Sequence, residues 1–156
     1  KMTLQTSPLG FILGDEGSGA ALGKLIVNAV FKGLLPKQLC NSFTEETQLQ
    51  LSDIINNVYR QPAPNRFLAS LSQFAARHID DDNIEQLVIM NFEQFIKNNL
   101  RQYVSYGAKP VINAIGSIAY YYSQQLQKAA ESNGYTVGKI LKSPMSGLIE
   151  YYTMTL

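Results

Sequence analysis

The order of elements predicts an α/β fold, rich in helix and built on a small, mainly parallel sheet. Three observations carry that expectation. The last third of the chain reads strand, helix, strand, helix with tight turns between them, an order that implies parallel pairing. The stretch from about 42 to 104 is nearly continuous helical periodicity, so it reads as a helical layer inserted in that core or packed on it. With 156 residues, 46% hydrophobic and 16% charged, the chain suffices for one core and is too short for two large ones.

Taken in order, residues 1–13 alternate weakly through Met2, Leu4, Leu9, Phe11, Ile12 and Leu13, and read as the end of a strand entering a turn. From Ser18 the period changes: Leu22, Leu25, Ile26, Ala29, Val30 and Leu34 mark an amphipathic helix running to about Leu35, stopped by Pro36. Ser42 and Glu45 have capping-box spacing before a helix through Leu51, Ile54, Ile55 and Val58. The prolines of "RQPAPN" break it. Asn65 is placed to cap a third helix carrying Phe67, Leu68, Leu71, Phe74, Ala75 and His78. After "DDD" at 80–82, Ile84, Leu87, Val88, Phe92, Phe95, Ile96, Leu100 and Tyr103 predict one long helix. The aspartates fit the positive end of that helix dipole, and that reading is preferred over a cation site. "PVINAIG" reads as a buried strand. A helix through Ile118, Tyr121, Tyr122, Leu126, Ala129 and Ala130 follows, closed by Asn133 and Gly134. "YTVGKILK" is a second strand, and Ser143-Pro144 opens a last helix through Leu148, Ile149 and Tyr152.

Composition narrows the function. A net charge of +1 with scattered Lys and Arg argues against nucleic acid and anionic membrane as partners. Cys40 stands alone, so no internal disulfide and no zinc or iron–sulfur site can be built within this chain; it reads as a small half-buried thiol of a reducing cytoplasm. His78 has no second ligand near it in sequence. No apolar run is long enough for a membrane span, and no signal peptide is visible. The abrupt start without Met at position 1 marks the chain as an expected piece of something longer.

"FILGDEGSGAALGK", Phe11–Lys24, is the segment that carries chemistry. It fails as a P-loop, because Gly23-Lys24 is followed by Leu25 and the glycine spacing is wrong; Gly17, Gly19 and Gly23 also miss the dinucleotide spacing. What remains is a turn in which Gly14 and Gly17 flank Asp15 and Glu16 at the head of a helix. A carboxylate fixed there stays ionised and can accept hydrogen bonds from the hydroxyls of a polyol or sugar. The alternative is that the acids only cap the helix and the glycines only turn the chain.

"GDEGSGAALGK" resembles the signature of the N-acetylglucosamine kinase and BadF-type ATPase group, in the actin/hexokinase/heat-shock-70 superfamily. "YRQPAPNRFLASLSQF", "AIGSIAYYY" and "GKILKSPMSGLIEYY" resemble later blocks of its bacterial members, so the likeness covers essentially the whole chain. It implies two ribonuclease-H-like lobes around a cleft, with ATP and Mg2+ as cofactors and an amino sugar such as N-acetylglucosamine as phosphoryl acceptor. Residues 1–156 would be the C-terminal lobe, with the N-terminal lobe absent. By matching residues, Asp15 would hydrogen-bond the sugar hydroxyls while Gly14 and Glu16 shape that wall. Gly116 and Ser117 would form the adenosine-binding turn, and Ser143 would lie on the same rim. The catalytic base is not among these residues; the resemblance implies that it lies in the other lobe, so this lobe alone is expected to be inactive. Two alternatives stand beside the kinase. One is a non-catalytic sugar-binding or interaction module. The other is an ATPase activator of the 2-hydroxyacyl-CoA dehydratase type, against which the single cysteine argues. The tyrosines of "AYYYSQQL" and "EYYTMTL" would suit a homodimer face, though edges of the core are the preferred reading.

Overall fold

The architecture of residues 4–154, the part that this computed structural model describes, grows from two helices that cross closely. Helix α2 (Gly19–Phe31) packs on α5 (Pro64–Arg77), and both contribute to one core with Leu22, Ile26, Leu68, Leu71 and Phe74 buried. Gly23 makes the crossing tight: a Cβ there would fall 2.0 Å from the carbonyl oxygen of Leu68. A short turn, α1 (Gly10–Leu13), precedes α2 where the alternation predicts a strand. No strand forms over the described residues 4–13; Met2 lies outside them. Helix α2 begins where expected, and Ser18 is its cap, accepting the Ala21 N–H on Oγ. The helix stops short of Pro36. Gly33 at φ 67 supports a Schellman closure in which the N–H of Leu34 donates to Ala29 and that of Gly33 to Val30. That turn leaves Leu34 exposed and buries Leu35 instead.

The following stretch holds two helices rather than one beginning at Ser42. Helix α3 (Lys37–Thr47) contains Ser42 and Glu45 in its interior; α4 (Leu51–Tyr59) carries the capping box, built by Gln50 and Asp53. Gln48, left-handed at φ 55, separates them. Helix α5 starts at Pro64 behind a left-handed Ala63, so Asn65 is within the first turn and is not the cap. Asp81 caps α6 (Asp82–Phe95), in agreement with the dipole reading of the three aspartates. The predicted long helix is interrupted by a π turn, Ile96–Leu100, before the short α7 (Arg101–Ser105). An inserted residue of this kind depends on packing, which periodicity does not report.

Strand β1 (Val111–Ile115) and β2 (Thr136–Leu141) pair in parallel, with Val111 opposite Thr136 and Ile115 opposite Leu141. The register slips between Ile112 and Ala114, where the Asn113 side chain accepts the Lys139 N–H. Gly138 leaves room for that side chain: a Cβ there would stand 2.5 Å from Asn113 Oδ1 and push it off the Lys139 N–H. The connection is α8 (Ser117–Tyr121) and α9 (Ser123–Ser132), closed at Gly134 as expected. Helix α10 (Met145–Met154) follows β2, and its Leu148, Ile149 and Tyr152 are exposed. The tyrosines divide. Tyr122 is core, its hydroxyl donating to the Ser72 carbonyl, whereas Tyr120, Tyr121 and Tyr152 are exposed and depart from the expected core-edge role. The helix-rich lobe with a small parallel sheet is therefore the observed fold class. None of these helices is long and apolar enough to cross a membrane.

Candidate functional site

The glycine loop is held from three sides. Asp15 adopts a left-handed conformation, φ 71, which Asp tolerates better than most residues, and its carbonyl accepts the Ser18 N–H. Its carboxylate is exposed, with Oδ2 accepting the Ser18 hydroxyl at 2.8 Å. Glu16 turns the other way. Asn98 Nδ2 donates to its Oε1 at 2.9 Å and Asn99 Nδ2 to its Oε2 at 3.2 Å, so both oxygens are engaged by the π turn. The Asn98 amide and then the backbone N–H of Glu16 itself, with smaller help from Asn99 and the Lys24 ammonium, hold the Glu16 carboxyl below the usual range, against the opposing effect of burial.

Gly17 is the point of closest approach. It has φ 80, and a Cβ would stand 3.0 Å from Phe95 Cβ. Its N–H donates to Asn91 Oδ1 at 3.1 Å while Asn91 Nδ2 donates to the Ser18 carbonyl at 3.2 Å. Asn91 is fully buried, so this pair of hydrogen bonds satisfies its amide and the Gly17 N–H and gives the Ser18 carbonyl a second donor beside the Leu22 N–H. On the far side, Lys24 Nζ donates to the Phe11 carbonyl. A loop fixed this way does not have to be ordered when a ligand arrives.

The second predicted site, Gly116–Ser117, follows β1. Gly116 has φ 142, and its N–H donates to Leu141. The structure brings this turn to the glycine loop. A cavity of about 690 Å³ is walled by Glu16, Gly17 and Gly19 on one side and by Gly116 and Ser117 on the other, with Phe95 between. A second cavity of about 730 Å³ lies beyond it, against α5: Ala69, Ser72, Gln73 and Tyr121 line it together with Gly19 and Ser117. Gly14, Asp15 and Ser143 line neither cavity. Ser143 Oγ accepts the Met145 N–H at the start of α10. Next to it, Lys142 lies 4.9 Å from the centre of the Tyr121 ring, whose hydroxyl raises its pKa above the ordinary lysine value.

Among the described residues no group of three or more His, Cys, Asp and Glu is placed to hold a metal ion. His78 stacks on Phe74 and pairs with Glu46, a structural role. Cys40 points its thiol at the carbonyls of Val30 and Leu35. Sequence reading missed Asn91, Asn98 and Asn99. Asn91 had a signal: three residues after Val88 and next to Phe92, it is a polar residue within the apolar stripe of α6, and such a residue needs buried partners. Asn98 and Asn99 had none, because the π turn that aims them was not predicted.

Two of three comparisons with known proteins are negative: no family model matches the chain, and no curated protein matches it. Among solved structures, it is similar to a protein of Porphyromonas gingivalis described as a "putative N-acetylglucosamine kinase". The two share 43% identity at a TM-score of 0.90, over 97% of this chain and 53% of that one. The resemblance read from the GDEGS block thus extends to the three-dimensional structure, and the chain spans about half the length of the kinase-like protein whose fold it shares.

Proposed function

We propose that this chain is the C-terminal lobe of an ATP-dependent carbohydrate kinase, which moves the γ-phosphoryl of ATP to a hydroxyl of N-acetylglucosamine or a similar amino sugar. The observation that carries this reading is the meeting of the glycine loop and the Gly116–Ser117 turn on one cavity, although the two are far apart in sequence. That arrangement fits the tendency of α/β folds to bind ligands beyond the carboxyl ends of parallel strands. Likeness to a kinase-like structure at 43% identity supports it.

Asp15 is the sugar-binding group. Its carboxylate is exposed next in sequence to the cavity-lining Glu16, and only Oδ2 has a partner among the described residues, so Oδ1 is open to a donor hydroxyl. Gly14 shapes that wall by letting the chain turn closely against Leu9, where a Cβ would stand 3.3 Å from the Leu9 Cβ. The nucleotide takes the Gly116–Ser117 side. Ala69 and Ile118 form apolar walls of the second cavity, and Ser72, Gln73 and Ser117 provide the polar edge a purine and ribose need. Ser143 lies on the rim of the same strand end. No dedicated magnesium cage fits the described residues, so the ion would arrive on the phosphates of the nucleotide. Phosphoryl transfer is mostly positioning and charge stabilisation, and the base belongs to the other lobe, so this lobe alone is inactive. The protein works in the cytoplasm, and the exposed Tyr120, Tyr121 and Tyr152 suit a homodimer contact.

The test is ADP release by the full-length protein on mixing with N-acetylglucosamine and ATP–Mg. Asp15→Ala should weaken sugar binding by about 1–3 kcal/mol and leave ATP binding unchanged. An unaltered sugar affinity removes Asp15 from the site. Sugar binding without any ATP turnover replaces the kinase with a sugar sensor.

A further inference from the structure

We infer that Glu16 is a positioning residue, latching the glycine loop to the π turn through Asn98 and Asn99, so that the sugar site is set by residues that never touch sugar. This rests on the kinase reading for its consequence and on geometry for its existence. Neighbouring acids of the loop have opposite fates: Asp15 is exposed, whereas each oxygen of Glu16 accepts an amide hydrogen from the π turn. A carboxylate with both oxygens occupied is a poor acceptor for a sugar hydroxyl, which would have to displace a charge-assisted bond.

The latch lies at one end of a larger fastening. Phe95, the last residue before the π turn, packs against Gly17, and Asn91 one turn earlier holds the Gly17 N–H and the Ser18 carbonyl. At the other end of the π turn, Thr6 donates its hydroxyl to the Asn99 carbonyl, and its N–H donates to the Tyr103 hydroxyl. The π turn therefore holds the chain at two points, at Thr6 ahead of the loop and at Glu16 within it. A regular α-helix over the same residues would rotate Asn98 and Asn99 relative to α6, and the two amides would no longer face one carboxylate. Single inserted turns of this kind are frequent at functional sites. With Glu16 pinned, the backbone at Asp15 is left with the left-handed conformation that turns its carboxylate outward.

The experiment is a mutant cycle in the full-length protein, read by steady-state kinetics with N-acetylglucosamine and by amide hydrogen exchange of the loop without sugar. Glu16→Ala, and Asn98→Ala with Asn99→Ala, should each raise the sugar KM about tenfold with kcat and the ATP KM nearly unchanged. Combining all three should cost no more than either alone, because one unit has been broken. Asn98→Asp should be harmful by placing a second carboxylate against Glu16, and adding Glu16→Gln should restore much of the affinity by reversing donor and acceptor. If Glu16 contacts sugar directly, Glu16→Ala will still cost about tenfold in the Asn98→Ala/Asn99→Ala background, and the inference falls. If the wild type binds no amino sugar, the kinase reading fails, yet the exchange arm still decides the latch. Faster, non-additive exchange at Gly17 in the same variants supports it, and unchanged exchange overturns it.

Discussion

Replacing Gly23 by Ala puts the α2–α5 crossing to the test. The new Cβ would lie 2.0 Å from the Leu68 carbonyl oxygen and 2.7 Å from its carbon, both backbone atoms. No rotamer change relieves such a clash, so the helices must separate by about 1 Å before the contact reaches even the shortest distance real Cβ atoms make. A gap of that size forfeits about a quarter to a half of the dispersion energy of the atoms it parts, which here include the buried Ile26 and Leu71. Overpacking of this kind costs about 1–3 kcal/mol, and a backbone obstacle that cannot rotate away raises the cost further. Better helix propensity returns about 1 kcal/mol. A net loss of about 2 kcal/mol follows, which lowers Tm by roughly 4–8 °C in a domain of this size. The assay is thermal unfolding of the full-length protein by circular dichroism, with Gly33→Ala as comparison. Gly33 faces open space but has φ 67, so its substitution isolates the conformational penalty, about 1–2 kcal/mol, from the steric one. Because α2 carries the glycine loop and α5 lines the second cavity, Gly23→Ala should also raise both the sugar and the nucleotide KM. A Tm equal to or above wild type for Gly23→Ala would refute the close crossing and the steric argument built on it.

Asn91→Ala leaves the Gly17 N–H without its partner and takes one of two donors from the Ser18 carbonyl, which keeps the Leu22 N–H. It should cost about 2–3 kcal/mol in thermal unfolding and weaken sugar binding too; a stable variant with unaltered affinity would remove Asn91 from the loop's support. Tyr122 is pushed up to about 12 by burial, so its folded pKa lies above its unfolded value near 10. A raised pKa contributes stability that is whole below the unfolded value and is lost as pH rises through the folded one, here between about 10 and about 12. Tyr122→Phe should abolish that alkaline loss while giving up about 1 kcal/mol at neutral pH with the bond to Ser72. An unchanged alkaline unfolding profile would contradict it.

Much of this molecule was readable in order along the chain. A helix beginning at Ser18, Gly134 as a helix stop, the aspartates at the head of α6 and two parallel strands joined through helix were all read from short spacings. The resemblance carried by Gly14–Ser18 reached the right kind of fold. The errors have a common cause. Ser42 and Glu45 match the capping-box pattern better than Gln50 and Asp53 do, yet the chain uses the second pair, because α3 starts at Lys37 and ends at the left-handed Gln48. Leu34 continues the apolar stripe of α2 but loses its burial to Leu35 once Gly33 turns the chain.

The amino-acid sequence by itself determined both strands, most of the helices and the loop that carries Asp15, because these depend on interactions among residues a few positions apart. Tertiary structure alone decided which of those elements meet. It placed Gly116 and Ser117 across a cavity from Glu16, turned the Glu16 carboxylate onto Asn98 and Asn99, and aimed Asn91 at the loop. Those contacts join groups more than seventy positions apart, and their energy falls away within about an ångström of misplacement. No local pattern encodes such distances; the packing of α2 on α5 and α6, and the single π turn that follows, set them.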